Sequence, residues 1–313
     1  MGIPKLNKYL IENCNSKCIC KTHISKLKGT KLAIDTSIYL YKFISRGELL
    51  EDMYLFISIL LSYNITPVFI FDGKPPPEKK EILIKRNNDK KKAEEECRIL
   101  NDKLKDELTY NEKMEIEDNI EILKKKCIRV KNIDISSVKK LLTAYGITYL
   151  EAINEADELC GYLMTNNLVD GCISDDMDMF MYGCKYIIRH FSLLNHTMIM
   201  YDYNEICKCL KINSENMKKI LILSGTDYNI HMNNNIYEIF KLYKEYKKKK
   251  EGEFYNYVEE RKKININDLE NIEKLFECSN YLNDEYKKSD FTLKERNDKY
   301  IKEILTPEGF YWV

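Results

Sequence analysis

The 313-residue chain has no long apolar run. No window approaches the roughly 18 consecutive apolar residues of a membrane span, so no membrane partner is expected. Its first residues lack the charged-then-apolar order of an export signal, and position 6 holds Leu6 where a myristoylation motif beginning at Gly2 would need Ser or Thr. These absences predict an intracellular protein. Net charge is missing too: Lys plus Arg and Asp plus Glu stand at 50 each, so only the distribution of charge can point to a partner. The 11 cysteines show no framework spacing, and an odd, scattered set predicts free thiols in a reducing compartment. Cys14, Cys18, Cys20 and His23 form a C-x3-C-x-C-x2-H run that fits none of the usual two-knuckle zinc patterns; thiols packed or solvated near a helix end are expected instead. No internal repeat and no Gly/Ser or Pro-rich linker divides the chain, and its length suits one α/β body with an added lobe. The excess of Lys, Asn and Ile suits an AT-rich genome, such as that of a large DNA virus.

What is present is a regular alternation. KLAID (31–35), TPVFIFD (66–72), ITYLEA (147–152), DGCISD (170–175), KYIIRH (185–190) and TMIMYD (197–202) read as short, mostly buried strands. Helical stretches such as SIYLYKFIS, DMYLFISILLSY, VKKLLTAYG and EADELCGYLM lie between most of them. Strand and helix in turn predict crossover units and a mostly parallel central sheet flanked by helices. From about Glu78 to Lys126 the rhythm stops. That interval is highly charged and rich in good helix formers, which predicts exposed helices standing off the body; without sustained apolar heptads it is not a coiled coil. After Tyr203 the chain reads as helical, ending in the aromatics Phe310, Tyr311 and Trp312.

Isolated carboxylates fall where apolar strands end. Asp35 closes KLAID, Asp72 closes FIFD, Asp175, Asp176 and Asp178 follow CIS, Glu155 and Asp157 open the helix after ITYLEAIN, and Asp227 lies in SGTDY. In an open α/β sheet the carboxyl ends of the strands are where loops gather side chains around a ligand. Each acid alone has an ordinary explanation: a helix cap at Asn154 with Asp157 as its partner, a plain Asp72-Gly73 turn, or a helix start at Asp35. Taken together at successive strand ends they predict one shared site. Carboxylates so gathered would take up protons unless cations neutralise them, and oxygen ligands in a chain with only four histidines point to Mg²⁺ or Mn²⁺ over zinc. Asp176 and Asp178 would face one way in an extended segment, whereas Glu155 and Asp157 converge only if Glu155 sits at or before the helix cap. One of Asp175, Asp176 and Asp178 is a bystander, and their spacing leaves open which. Lys79 and Arg86, two turns apart on one helical face, could reach a common phosphate.

The blocks MGIPKL, AIDTSIYLYKF, PVFIFDGKPPPEKKEILIKR, NEADELC, SDDMDMFMYG and LSGTDY, in this order between Met1 and about Tyr228, resemble the structure-specific 5′ nucleases of the flap endonuclease (XPG) type. The resemblance implies a PIN-like nuclease fold with a helical arch and a helical C-terminal part. Its expected organisation is an N-terminal nuclease region with half of the arch (1–98), the rest of the arch (99–130), an internal nuclease region (131–235) and a helical DNA-binding or packing region (236–313). It implies metal ligands at Asp35, Asp72, Glu155, Asp157, Asp176, Asp178 and Asp227, which makes Asp175 the bystander. Lys79 and Arg86 correspond to the basic pair contacting the scissile phosphate, Tyr41 to an aromatic stacking on a nucleotide, and Gly2 to a small residue whose backbone lies near the site. The implied activity is two-metal phosphodiester hydrolysis on branched or flapped DNA, yielding 5′-phosphates. A junction-resolving, exonucleolytic or RNA-directed nuclease and a catalytically silent DNA-binding scaffold are the competing readings. Two positions depart from the family. Asn233, Asn234 and Asn235 stand where a Gly-x-Gly turn normally binds duplex, so a left-handed Asn turn followed by the basic, tyrosine-bearing Tyr237 to Lys250 stretch is expected in its place. Ile304 and Pro307 occupy the Gln and aliphatic positions of the sliding-clamp peptide, so no clamp binding is expected. A monomer acting in the nucleus, or wherever DNA replicates, a cytoplasmic viral factory included, completes the reading.

Overall fold

A computed structural model describes residues 2–105, 109–229, 232, 234–249, 252–262, 266–281 and 286–310. Seven strands form one sheet: β1 (Ile19–His23), β2 (Lys31–Asp35), β3 (Thr66–Phe71), β4 (Tyr149–Glu151), β5 (Gly171–Ile173), β6 (Tyr186–Arg189) and β7 (Thr197–Asp202). Their order is β1-β7-β6-β5-β2-β3-β4. The central neighbours β6-β5-β2-β3-β4 are parallel, and β7 and β1 close one edge antiparallel.

The period-2 pattern explains why the sheet is covered on both faces. Ala33, Val68, Ile70, Cys172 and Ile187 point into one core layer, and Leu32, Ile34, Phe69, Phe71, Ile173 and Ile188 into the other. On the first face lie helices α1 (Leu6–Asn13), α7 (Ala156–Thr165), α8 (Tyr203–Leu210), α9 (Ser214–Ser224) and α10 (Ile236–Lys249), with α11 (Phe254–Lys262) and α12 (Ile266–Lys274) beyond. On the second lie α2 (Thr36–Ile44), α3 (Leu49–Ser62), α6 (Asn132–Ala144) and α13 (Asp298–Leu305). The helical stretches expected from sequence correspond to α2, α3, α6 and α7.

The charged interval forms two long helices, α4 (Lys80–Lys103) and α5 (Tyr110–Lys126), packed on each other as a hairpin. Only Ala93 of α4 and Ile120 and Leu123 of α5 are buried, so the pair has a narrow apolar seam. Thr109 and Glu112 start α5 with a reciprocal capping box. Arg129 holds Glu94 at 3.0 Å, and the Lys90 ammonium donates to the Ile128 carbonyl at 2.9 Å, fastening the hairpin's base.

Several expectations are corrected. β1 was not foreseen. It is a half-exposed edge strand carrying Cys20, Lys21, Thr22 and His23, paired to β7 from Ile19↔Tyr201 to His23↔Thr197, and its polar composition hides the alternation of a buried strand. Of the expected Asn turn, Asn233 lies outside the described residues and Asn235 does not have positive φ. Asn234 donates its amide to the Leu223 carbonyl at 2.8 Å, while the Asn235 carbonyl accepts from Glu238 and Ile239 at the start of α10. The tyrosine-bearing helix α10 is packed: Ile236, Ile239, Phe240 and Tyr243 are buried, and Phe240 stacks on Tyr9 at 4.0 Å. At the far end Phe310 meets Tyr54 edge-on at 5.4 Å, and Tyr311 and Trp312 lie outside the described residues. Among the described residues no helix is long and apolar enough to cross a membrane.

Candidate active site

Because β2, β3, β4 and β5 run parallel, their carboxyl ends open on one edge of the sheet, and the isolated acids collect there. Asp35 ends β2, and its Oδ2 accepts from the Ser174 hydroxyl at 2.9 Å. Asp72 follows β3, with Oδ1 accepting from the Ala156 backbone N–H at 2.8 Å and Oδ2 from the Ser37 hydroxyl. One carboxylate therefore ties the end of β3 to the starts of α2 and α7. Glu155 is the N-cap residue of α7 in extended backbone and Asp157 lies in the first turn, the arrangement that lets the two side chains converge. Their cap is not formed by Asn154; that side chain instead lies 3.5 Å from Glu158.

The Asp176–Asp178 segment is not extended. It is a tight 3₁₀ turn over Met177–Phe180, which Asp176 caps by accepting from the Asp178 N–H at 3.0 Å. The turn, rather than a strand's alternation, brings the two carboxylates together. Asp175 is directed elsewhere: its Oδ1 accepts from the His190 N–H at 2.6 Å, and its carbonyl receives the Arg189 guanidinium at 2.7 Å. Gly2, with φ +78, lies against the pair, since a Cβ built there would sit 2.6 Å from Asp178 Oδ1 and nearer still to Asp176 Oδ1. Asp227 is carried by a turn after α9 that Asn229 closes, accepting from the Thr226 N–H at 2.5 Å and its hydroxyl at 2.8 Å.

The base of the hairpin supplies the opposite charge. Lys79 is buried, with its ammonium 2.6 Å from Glu155 and 3.7 Å from Asp227; Arg86 reaches Asp227 at 2.6 Å. Lys79 does not share a helix with Arg86, as expected from spacing, but sits in the 3₁₀ turn Pro77–Lys79 that precedes α4. Both cations nevertheless meet the same carboxylate. Tyr41 is 43% exposed beside this pocket, with Lys90 of α4 lying 5.1 Å over its ring. It lines a cleft of about 740 Å³ with Asp72, Lys139 and Lys140.

Electrostatics show how crowded the acids are. Burial first, then the neighbouring Asp72 charge, pushes Asp35 up to about 8. Burial and the charges of Asp35 and Asp176 hold Asp157 well above the carboxylate range, and burial with Asp176 and Asp227 does the same for Asp178. Burial works against the Lys79 ammonium, but Glu155 and Asp227 outweigh it and its pKa is raised. Asp157 Oδ1 and Asp178 Oδ1 are buried with no hydrogen-bond partner, a costly state that a cation would relieve. Among the described residues no three carboxylates bring oxygens within 4.8 Å of one another. Oxygen-only donors suit a hard divalent cation that keeps several waters. The residues present therefore fit a hydrated divalent ion.

Sequence reasoning overlooked Ser37, Ser174, Lys90, Lys139 and Tyr228. Tyr228 donates its hydroxyl to Glu155 at 2.9 Å and lies 4.9 Å beneath the Lys79 ammonium. Its place beside Asp227 in SGTDY was the available signal; the others look like ordinary polar residues until the fold sets them beside the acids.

A mostly parallel α/β sheet whose strand ends gather buried acids beneath the cationic base of a helical hairpin defines a metal-assisted phosphodiesterase. Two family descriptions match this chain: the XPG N-terminal domain over residues 1–93 and the XPG I-region over residues 146–227. The chain belongs to the XPG family, the divalent-metal nucleases of the flap endonuclease type. It is 29% identical over 305 residues to Flap endonuclease 1 of Methanococcus aeolicus, covering 91% of this chain and 86% of that protein. It is 31% identical over 248 residues to Flap endonuclease 1 of Candida tropicalis, covering 73% of this chain but only 63% of that longer relative. Among solved structures the catalytic core of Rad2 in complex with DNA substrate shares the fold, with a TM-score of 0.64 at 19% identity, covering 98% of this chain and 95% of that one.

Proposed function

We propose that this chain is a Mg²⁺-dependent structure-specific endonuclease that cuts branched DNA at the base of a 5′ flap and leaves a 5′-phosphate. Two ions would be held among Asp35, Asp72, Glu155, Asp157, Asp176, Asp178 and Asp227, with Mn²⁺ able to substitute. The carrying observation is the meeting of hairpin and acids, in which Lys79 and Arg86 both reach Asp227 and Lys79 also reaches Glu155. The names of the relatives, flap endonucleases among them, support the same reading.

Bound Mg²⁺ supplies an activated water and a counter-charge for the leaving oxygen. The chain's own residues do the rest. Lys79, whose ammonium is favoured by the carboxylates beside it, and the Arg86 guanidinium can turn from carboxylate to phosphate, stabilising negative charge as it grows in the transition state. The exposed face of Tyr41 offers a platform for the base beside the cut, and Lys90 above it offers a charge for the adjoining phosphate. Lys139 and Lys140 extend the cationic lining away from Asp72. Selection by shape follows from contacts that are mostly to phosphates, so binding should fall steeply with salt. The protein would act as a monomer where its DNA is replicated or repaired.

The test is a panel of labelled double flaps, nicks, gaps, four-way junctions and their RNA counterparts, with Mg²⁺, Mn²⁺ or EDTA. Cleavage at the branch of a DNA double flap is expected. Stepwise release from the 5′ end would make it an exonuclease, and preferential cutting of junctions or RNA would reassign the substrate. Binding without cleavage under either metal would leave a DNA-binding scaffold.

A further inference from the structure

We propose that Cys14, Cys18 and Cys209 form a structural zinc site that pins the N-terminal helix to the antiparallel edge of the sheet. The three sulfurs come from separate elements: Cys14 from the C-cap of α1, Cys18 from the turn entering β1, and Cys209 from α8. Their Sγ atoms all lie within 4.8 Å of one another, the one such grouping of three ligands among the described residues. Sulfurs bound to one zinc at about 2.3 Å stand roughly 3.8 Å apart in a tetrahedron, so closing this triangle needs shifts under about 1 Å. The sequence spacing concealed it. Cys14 and Cys18 look unpartnered in the N-terminal run, and the third ligand comes from a helix nearly two hundred residues later, brought in by the pairing of β1 with β7.

The chemistry of the set favours zinc. Three thiolates are soft ligands that suit Zn²⁺ and reject Mg²⁺, so this site and the carboxylates select different ions. Cys209 is exposed while Cys18 is buried, which leaves one side of the triangle open for a water as fourth ligand. The neighbouring backbone is already drawn in: Cys18 Sγ lies 3.4 Å from the Glu205 carbonyl and Cys209 Sγ 3.6 Å from the Asn13 carbonyl, so α8 touches both the end of α1 and the turn after it. The position gives the clip a purpose. α1 starts four residues after Gly2, which lies against Asp176 and Asp178, and its other side stacks Tyr9 on Phe240 of α10. Fixing the far end of α1 fixes the segment that borders the acids.

The experiment titrates Cd²⁺, whose bonds to sulfur give an ultraviolet charge-transfer band that carboxylates do not, into the reduced full-length protein. The band is expected to saturate at one ion per chain and to fall only when Zn²⁺ is added in large excess, with Mg²⁺ in excess having no effect. Cys209→Ser, at an exposed position, should lower the band by about a third and weaken binding at least about tenfold, while Cys97→Ser on α4 leaves both unchanged. A melting temperature raised by stoichiometric Zn²⁺ in the parent protein supports the site independently of any variant. Absence of the band at equimolar Cd²⁺, or a band unaltered in both Cys14→Ser and Cys209→Ser, overturns the proposal and leaves three thiols packed as small apolar side chains.

Discussion

Replacing Gly2 by Ala tests how tightly the N-terminal segment is fitted to the acids. The new Cβ would stand 2.6 Å from Asp178 Oδ1 and 2.9 Å from the Asp178 nitrogen, where ordinary contact begins at 3.4 Å. The Asp178 carboxylate must retreat by about 0.8 Å, and Asp176 by more, against a tolerance of about 0.2 Å for metal–ligand distances. A misplacement near 1 Å in a catalytic constellation lowers rate by about a hundredfold. Positive φ adds a backbone cost of about 1–2 kcal/mol for any L-residue, which a control can isolate. Gly47 has φ +80 with nothing within 4 Å of its built Cβ, so Gly47→Ala carries the backbone cost without the collision. Single-turnover cleavage of a labelled flap under saturating Mg²⁺, with flap binding measured alongside, should give a loss of about a hundredfold for Gly2→Ala and near-parental rates for Gly47→Ala. Equal cleavage by both variants would refute the reasoning, because the collision would then have no chemical consequence.

Asp176→Ala should abolish cleavage and leave flap affinity within a few-fold, since most phosphate contacts lie elsewhere; activity equal to the parent in a gel assay would remove Asp176 from the site. Lys79→Ala should lower single-turnover cleavage by about two orders of magnitude while weakening binding far less, whereas matched losses would make Lys79 a general DNA contact. For the metal-free protein the pH dependence has a fixed sign. Asp35, Asp157 and Asp178 have folded pKa values above the unfolded 3.8, so the folded chain holds protons that the unfolded chain has released. Stability in EDTA should therefore rise as pH falls from 8.5 to 6 through the Asp35 value of about 8, and Asp35→Asn should flatten the rise; calorimetry showing a fall over that interval would contradict it. Mg²⁺ should raise the melting temperature more at pH 8.5 than at pH 6, because protons and ions compete for the same oxygens.

Much of this was legible in the residues. Most of the foreseen strands announce themselves because both faces of a parallel sheet are apolar, as in VFIF and KLAI, and most stop where a carboxylate appears, although KYIIRH ends at Arg189 and His190. The hairpin is legible for the opposite reason, since helix-forming residues with almost no apolar stripe have nowhere to be buried. What escaped was tertiary. β1 is half-exposed and mixes Cys, Lys, Thr and His, so nothing local separates it from a loop until β7 pairs with it. The 3₁₀ turn at Asp176 could not be read from a spacing of two, which suits a strand equally well. Lys79's burial depends on Glu155 and Asp227, both far along the chain. Tyr228 was overlooked because a tyrosine after an aspartate carries no sign of the Glu155 it will meet.

The acids are dealt out along the chain from Asp35 to Asp227, and the sheet joins them only after β2, β3 and β5 have found their register. During synthesis, then, no emerging fragment holds a working cutter. A ribosome must release the turn closed by Asn229 before the last carboxylate can reach Lys79 and Arg86.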